Sequence, residues 1–267
     1  MNLFQKAGRL GSRLLKIAAT NPRRLSHVFG TALSASDDVV NPSCDLLQLP
    51  SVDVNDLLPA AGDLWEIRML MFPKTHASIS LLEFTALLLL LKRTKAKKVF
   101  EFGTFKGISI TQLTLNLPPD SEVYTLDLPD EALNTAFATD PEDAAIAVEA
   151  GKGSLVPAEL RTRIRFLKSD SAKFDETPFA GKMDFVFVDG AHNFEYVKND
   201  SEKGWRMLRP GGIIAWHDCR HQDLGVVRYL LQSSYKPTPD RWHYCRFCFQ
   251  ALSFATIWSK FTPSRVI

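Results

Sequence analysis

Short apolar runs alternate along the chain with segments whose apolar residues recur at helical spacing. The densest run, Met183–Val188, is typical of a central parallel strand that is buried on both faces. This alternation predicts a doubly wound α/β fold with a mostly parallel sheet and right-handed crossovers. The first five predicted strands are 98–102, 122–127, 164–167, 183–188 and 213–216.

Helices are predicted between these strands, at about 107–116, 195–208 and 223–233. Two aromatic-rich runs within 241–259 have the alternation of strands and complete a predicted seven-stranded sheet. The Arg-Pro-Gly-Gly sequence at 209–212 is expected to turn the chain into the fifth strand.

The segment before the first strand is predicted to contain two helices. Residues 64–71 are apolar enough for a short helix that ends before the next proline. Either Ser78 or Ser80 is suited to cap the second helix, with Glu83 in its first turn and a heavily buried stretch at 87–91.

The N-terminal region is basic, since no acidic residue precedes Asp37. Its apolar residues fall at helical spacing, so we predict a basic amphipathic helix within an extension and connector at 1–62, ahead of a main domain at 63–267. Residues 3–24 could lie on an anionic membrane surface, pack on this domain or on a sister subunit in a homodimer, or form a cleaved targeting segment. The apolar positions are Leu3, Ala7, Leu10, Leu14 and Ile17.

Composition narrows the classes of protein. The chain has 267 residues, 45% of them hydrophobic and 23% charged, as in ordinary globular proteins. Its 32 basic and 30 acidic residues argue against a nucleic-acid partner. No apolar run reaches the ~18 residues that suggest a membrane span. Four scattered cysteines are too few for a disulfide framework, so we expect a cytoplasmic protein, with or without peripheral membrane contact.

The glycine turn after the first strand is the most informative motif. Glu101, Gly103 and Gly107 form a Glu-x-Gly-x-x-x-Gly pattern, and Asp127 ends the next strand. Glycines let a ligand approach the backbone, and a carboxylate about 20 residues downstream is placed for ribose hydroxyls. Phe105 replaces the middle glycine of the dinucleotide fingerprint, which argues against NAD or FAD. The acidic Glu101 instead suits an ammonium or sulfonium group.

Polar residues also follow the other predicted strands. Asp170 comes after the third strand, Asp189 and His192 after the fourth, and His217 and Asp218 after the fifth. Ligands of open parallel sheets bind beyond the carboxyl ends of the strands. We therefore expect these side chains and the glycine turn to share one crevice.

Three further motifs make the interpretation more specific. They are Phe-Val-Asp-Gly-Ala-His at 187–192, a helix that carries Tyr196 and Asp200, and Leu-Arg-Pro-Gly-Gly-Ile-Ile-Ala-Trp-His-Asp at 208–218. With the glycine turn they resemble class I S-adenosylmethionine-dependent methyltransferases, in the small-molecule O-methyltransferase branch related to catechol and macrocin O-methyltransferases. The resemblance covers about residues 75–260 and implies a Rossmann-like methyltransferase fold.

The resemblance also implies which residues contact the cofactor. Asp127 would bind the ribose hydroxyls, Ser169 and Asp170 would flank the adenine, and Asp189 would lie beside the cofactor. The residues of the glycine turn would surround the methionine part of the cofactor: Glu101, Gly103, Thr104 and Gly107.

Some members of this branch bind a divalent cation through an Asp after the fourth strand and an acidic or Asn pair after the fifth. The matching positions here are Asp189, His217 and Asp218. Hard cations prefer oxygen ligands, so His217 departs from that pattern. Two interpretations stay open. One is a site for Mg²⁺, or for Mn²⁺ or Fe²⁺; the other is no metal, with Asp189 contacting cofactor or substrate and Asp218 capping a loop.

His192 is the candidate general base. An imidazole with an ordinary pKa near 6.5 accepts a hydroxyl proton at neutral pH, and His192 follows the carboxylate after the fourth strand. The alternative is a histidine that caps the next helix or bonds to the backbone. His221, after the fifth strand, is the second candidate.

Together these features predict an S-adenosylmethionine-dependent methyltransferase that O-methylates a small hydroxylated metabolite or sugar. A nicotinamide-dependent oxidoreductase and a catalytically silent module that keeps the cofactor fold are the alternatives. Cys245 and Cys248 have zinc-like spacing but no partner pair, so we expect them to be structural.

Overall fold

A computed structural model of the protein describes residues 51–52, 54–73, 79–129, 135–138, 141–148, 151–219, 225–232, 244–249 and 255–259. The strands are β1 (Ser51–Val52), β2 (Lys98–Phe102), β3 (Glu122–Asp127), β4 (Ile164–Lys168), β5 (Met183–Val188), β6 (Leu208–Trp216), β7 (Tyr244–Phe249) and β8 (Ala255–Ser259). The α-helices are α1 (Leu81–Arg93), α2 (Ile108–Leu115), α3 (Pro141–Val148), α4 (Ala158–Arg161), α5 (Phe194–Met207) and α6 (Gly225–Gln232).

The strands form one sheet in the order β1-β7-β8-β6-β5-β2-β3-β4. Strands β4, β3, β2, β5 and β6 run parallel, whereas β8 is antiparallel to β6 and β7. The chain winds outward from β2 to β4 and then returns to the other side of β2 as β5. Such a reversal opens a crevice beyond the carboxyl ends of β2 and β5, as the doubly wound prediction requires.

The predicted strands are confirmed. Strands β2, β3 and β5 have the predicted bounds, and β5 is buried at all 6 positions. The described part of the chain has eight strands rather than seven, because the two-residue β1 pairs with β7 at the edge of the sheet. A strand of two residues is too short to show the alternation of apolar and polar residues by which a strand is predicted.

Apolar layers cover both faces of the sheet. Helix α1, through its 87–91 run, and helix α2 pack on the face of the sheet that carries Val99 of β2. Helices α5 and α6 pack on the opposite face, which carries Phe100. Side chains alternate between the faces of a strand, so Glu101 points to the same side as Val99. The site is thus held by a sheet whose two faces are both covered.

A capping box begins α1. The Ser80 hydroxyl oxygen accepts a hydrogen bond from the Glu83 amide at 3.2 Å, and Glu83 Oε2 accepts one from the Ser80 amide at 2.8 Å. Two N–H groups at the helix start are satisfied in this way. The predicted cap at Ser80 is confirmed, whereas Ser78 lies outside the described residues.

The helix predicted at 64–71 is wrong, because this segment forms neither a helix nor a strand. Gln112 exchanges two hydrogen bonds with the backbone of Leu70, at 3.1 and 2.6 Å, and Asn116 exchanges two with Arg68, at 2.9 and 2.7 Å. The side-chain amides of Gln112 and Asn116, four residues apart at α2, thereby pair with the backbones of Leu70 and Arg68, which are two residues apart. These tertiary bonds replace the hydrogen bonds that a helix would have made.

The predicted turn at 209–212 lies within a strand, since β6 begins at Leu208. The pairing of β5 with β6 shifts register between Met183 and Phe185, and Gly211 has a φ of 80°. Glycine tolerates this left-handed backbone, so the irregularity is absorbed without ending the strand.

Several predictions concern residues outside the described part of the chain. The amphipathic helix of 3–24 lies entirely outside it, and the domain boundary near residue 62 stays a prediction. Within the described residues, no helix has both the length and the apolar character to cross a membrane.

Candidate active site

The glycine turn between β2 and α2 forms one wall of the crevice. Gly103 has a φ of 94°, and a Cβ placed there would lie 2.1 Å from the backbone oxygen of Asp189. Gly107 caps α2 with a φ of 82°, and its Cβ would lie 2.4 Å from Val156 Cγ2. Only glycine fits both positions, and the first brings the turn against the end of β5.

The Asp127 carboxylate organises this turn. Its Oδ2 accepts hydrogen bonds from the amides of Thr104 at 3.0 Å and Phe105 at 2.8 Å, and its Oδ1 accepts one from the amide of Leu128 at 2.7 Å. Lys152, which was not predicted, lies 3.3 Å from Oδ1. Phe105 has a φ of 45°, and these amide bonds help to hold that strained conformation.

Glu101 is fully buried behind the turn. Its carboxyl group accepts hydrogen bonds from the hydroxyls of Ser109 at 2.5 Å and Thr125 at 2.6 Å. Burial raises the pKa of Glu101 to about 8, although the two hydroxyls oppose the shift. The group is therefore neutral over part of the physiological range and would ionise beside a cation.

Asp170 links three segments at the end of β4. Its carboxylate accepts hydrogen bonds from the Ala172 amide at 2.9 Å, the Tyr196 hydroxyl at 3.0 Å and the Ala136 amide at 2.7 Å. Ser169 donates its hydroxyl to the backbone oxygen of Asp170 at 3.1 Å. These contacts tie the polar 130–160 region and α5 to the sheet, and the role beside adenine stays a prediction.

The three predicted cation ligands lie together just beyond the carboxyl ends of β5 and β6. Asp189, His217 and Asp218 each place a ligand atom within 4.8 Å of the others. His217 Nδ1 lies 3.2 Å from Asp189 Oδ1 and 2.9 Å from Asp218 Oδ2. Burial alone would lower the pKa of His217, but the surrounding carboxylates raise it well above its ordinary value. Two oxygen donors and one nitrogen donor can thus meet at one point.

His192 lies beside this cluster, held between two carboxylates. Its Nδ1 lies 2.6 Å from Asp143 Oδ1 and its Nε2 lies 2.7 Å from Asp218 Oδ2, while its amide donates to Asp143 Oδ2 at 2.7 Å. Burial would lower the pKa of His192, but the hydrogen bonds to Asp143 and Asp218 outweigh it and raise the pKa to about 10.

This finding corrects the expectation of an ordinary pKa near 6.5 for His192. Asp218 stabilises the imidazolium, and the imidazolium in turn lowers the pKa of Asp218 against the opposing effect of burial. In this arrangement His192 carries the proton that a base must lack. The ring can accept a proton only after it has lost the one that these carboxylates favour.

Besides Lys152, sequence reasoning missed two residues near the cation cluster. Asp143 comes from α3 in the 130–160 region, and Glu83 reaches the cluster from the start of α1, with Oε1 3.6 Å from His217 Nε2. The capping box was visible in the sequence, but the second contact of Glu83 was not. Of the remaining candidates, His221 lies outside the described residues, and Cys245 and Cys248 lie on the predicted strand β7.

Comparisons with known proteins agree with this geometry. Residues 100–219 match a family model described as a methyltransferase domain. A caffeoyl-CoA O-methyltransferase from Stellaria longipes is 31% identical over 149 residues, which are 54% of this chain and 55% of that protein. A flavonoid 3',5'-methyltransferase from Vitis vinifera is 30% identical over 133 residues, covering 48% of this chain and 49% of that protein.

The chain thus spans about half the length of the curated relatives it matches. Among solved structures, an O-methyltransferase from Bacillus cereus in complex with SAH has 19% identity and a TM-score of 0.48, over 70% of this chain and 84% of that one. The family match runs from β2 to the end of the His217–Asp218 pair and contains both walls of the crevice. Residues 100–219 are therefore similar to a methyltransferase domain, in agreement with the resemblance that the glycine turn and the motifs after β5 and β6 carry.

Proposed function

We propose that this protein transfers a methyl group from S-adenosylmethionine to a hydroxyl oxygen of a small metabolite or sugar. One observation carries the proposal: the glycine turn touches the backbone of Asp189, so the cofactor wall and the acid–imidazole cluster share one crevice. A methyl donor and an oxygen acceptor have to meet within a few ångströms, and this arrangement supplies that proximity.

The cofactor would lie against the turn. Asp127 would bind the ribose hydroxyls, and Lys152 would have to share or yield one of its oxygens. Ser169 and Asp170 would flank the adenine. The ammonium group of the methionine part would be attracted to the buried carboxyl group of Glu101. The methionine part would lie among the residues of the glycine turn: Glu101, Gly103, Thr104 and Gly107.

A divalent cation suits the acceptor side. Asp189, His217 and Asp218 offer two carboxylates and an imidazole within 4.8 Å, a donor set typical of metal centres, for Mg²⁺ or Mn²⁺. When bound there, the cation would act as a Lewis acid that lowers the pKa of the acceptor hydroxyl and orients it.

His192 would take the hydroxyl proton. Once Asp218 is engaged elsewhere, the pKa of His192 would fall and its Nε2 proton would leave to solvent, while Asp143 keeps Nδ1–H in place. The proton then passes from the acceptor oxygen to Nε2, and Nδ1–H stays donated to Asp143. This arrangement orients the base as a carboxylate orients the histidine in other acid–base pairs.

Cofactor binding is the direct test. Isothermal titration should show binding of S-adenosylmethionine and of its demethylated product, and no binding of NAD. A screen of metabolites with a labelled methyl donor would then identify the acceptor. Absence of cofactor binding would reject the proposed activity and favour a catalytically silent module.

Replacing Asp127 with alanine should weaken cofactor binding by about 1–3 kcal/mol, because hydrogen bonds to a charged acceptor are lost. Glu122 is the matched control, since it lies at the other end of β3 beside Lys98. Glu122→Gln should bind the cofactor as the wild type does. Equal affinity of Asp127→Ala and wild type in the same titrations would refute the role of Asp127.

A further inference from the structure

The Asp127 carboxylate is saturated by donors of the chain itself. A carboxylate offers about four acceptor positions on its two oxygens. The amides of Thr104 and Phe105 take two positions on Oδ2. The amide of Leu128 takes one on Oδ1, and the ammonium of Lys152 lies 3.3 Å from the same oxygen. A ribose hydroxyl therefore has to displace one of these four donors to reach Asp127.

Lys152 is the donor of the four that can move. The three amides belong to the backbone of the turn and of the residue after β3, whereas the ammonium of a lysine ends a flexible stem of four carbons. Its contact with Asp127 is also the longest, at 3.3 Å against 2.7 to 3.0 Å for the amides. A ribose thus gains access to Oδ1 but not to Oδ2, so Asp127 can bind one of the two ribose hydroxyls.

The backbone that carries Lys152 is fixed to the glycine turn. Gly153 donates its amide to the carbonyl oxygen of Phe105 at 2.6 Å, and Leu155 donates its amide to that of Lys106 at 3.0 Å. Gly153 has a φ of 70°, a left-handed conformation that glycine adopts without strain. The ammonium can therefore shift on its stem, but its backbone keeps it beside the ribose position.

The ammonium of Lys152 needs a new partner wherever it gives way to a ligand. Its side chain is only 7% exposed, and a buried charge costs free energy unless hydrogen bonds compensate. Within the described residues its polar partners are Asp127, at 3.3 Å, and the carbonyl oxygen of Leu128, at 2.5 Å. An ammonium has three N–H donors, so it can keep the bond to Leu128 and still donate to a ligand.

We propose that Lys152 is a ribose-binding residue: Asp127 Oδ1 accepts a hydrogen bond from one ribose hydroxyl of the cofactor, and the Lys152 ammonium donates one to the oxygen of the other. The two side chains together recognise the diol with one acceptor and one donor. The two hydroxyls are therefore read by different residues. The inference rests on the proposed function for the identity of the cofactor.

A thermodynamic cycle between a variant and cofactor analogues tests this contact. Lys152→Met keeps the apolar stem and removes the ammonium, and the 2′-deoxy and 3′-deoxy forms of the demethylated cofactor each lack one hydroxyl. Isothermal titration of wild type and variant with the complete cofactor and both deoxy forms supplies the affinities. Groups in contact are coupled in such a cycle, whereas independent groups are additive. Lys97→Met is the control for loss of a positive charge, since Lys97 is exposed and pairs with Asp120.

Lys152→Met should bind the demethylated cofactor roughly 10–150-fold more weakly than wild type, because a hydrogen bond from a charged donor is lost. Removing the hydroxyl that Lys152 contacts should weaken binding to wild type by a similar factor, but should change binding to Lys152→Met by no more than about 2–3-fold. Removing the other hydroxyl should weaken binding to both proteins equally. Lys97→Met should match wild type with every ligand.

Several results would overturn the inference while leaving the cofactor assignment intact. Equal affinity of Lys152→Met and wild type would rule out the contact, and tighter binding to the variant would show that Lys152 competes with the ribose. An equal loss for the complete cofactor and for both deoxy forms would show that Lys152 only orders the turn.

Lys152→Met leaves the charge of Asp127 without its cation, which destabilises a buried pair. If that variant does not fold, Lys152→Gln takes its place in the same cycle, because its neutral amide also lacks the ammonium. A wild-type protein that does not bind the demethylated cofactor would reject the proposed function, and the role of Lys152 with it.

Discussion

Replacing His192 with alanine should lower kcat/KM by roughly 10²–10⁴-fold, the usual cost of losing a general base. His192 is the imidazole that lies next to the cation cluster and is oriented by Asp143 through both its ring and its amide. Cofactor affinity should not change, because the ring and the amide of His192 bond to Asp143 and Asp218 rather than to the glycine turn. Steady-state kinetics and a cofactor titration on the same variant measure both quantities.

The pH dependence follows from the two carboxylates that hold His192. Asp143 and Asp218 favour its protonated form and raise its pKa, against the effect of burial. A base must be unprotonated, so kcat/KM should rise with pH through an apparent pKa above the ordinary histidine value of about 6.5, and this limb should disappear in His192→Ala.

His192→Gln is the matched variant, because its amide NH₂ can keep the hydrogen bond to Asp218 but cannot accept the proton. If His192 is the base, this variant should be as slow as His192→Ala. If the residue is only structural, it should recover most of the wild-type rate. Wild-type turnover and pH profile in either variant would contradict the proposed role and direct attention to His221.

Replacing Glu101 with glutamine should weaken cofactor binding by roughly 10–150-fold, because charge-assisted hydrogen bonds contribute about 1.5–3 kcal/mol. The side chain is fully buried, so glutamine can keep its contacts with Ser109 and Thr125 while removing the charge. Isothermal titration with the demethylated cofactor measures the loss.

Glu101→Gln should become more stable relative to wild type as the pH rises. Burial raises the pKa of Glu101 to about 8 from its usual 4.5, so between these values the folded state binds more protons than the unfolded chain. The unfolding free energy of wild type therefore falls as pH rises through this range, whereas the substituted glutamine has no proton to lose. Loss of binding would thus accompany a relative gain in stability at high pH.

Urea unfolding of both proteins from about pH 5 to about pH 9 measures this difference across the range where the proton is lost. Glu122→Gln serves as the control, since Glu122 is partly exposed and its pKa is lowered by Lys98 rather than raised. It should not show the relative gain at high pH. A constant difference between wild type and Glu101→Gln across the range would show that Glu101 is ionised in the unliganded protein.

Many residues of the crevice were predictable because the strands of a parallel sheet all end at one edge. Each strand from β2 to β6 ends at the same edge, so residues that directly follow a strand meet there whatever their separation along the chain. For this reason Asp127, Asp189, His217 and Asp218 could be assigned to one crevice from the strand pattern alone. The glycine turn was equally legible, since Gly103 and Gly107 occupy backbone conformations that few other residues adopt.

Contacts that join different elements were not encoded in any local pattern. Asp143 reaches His192 across 49 residues, and the amides of Gln112 and Asn116 hold a segment without helix where the sequence predicted one. Charge state depends on the same contacts, because the pKa of an imidazole reflects the carboxylates and the burial around it rather than its neighbours in sequence. The sequence by itself therefore determined the fold, the resemblance to methyltransferases and the edge of the sheet at which the candidate site lies. Only the tertiary structure decided which carboxylates surround His192 and His217, and thus which protons those rings hold.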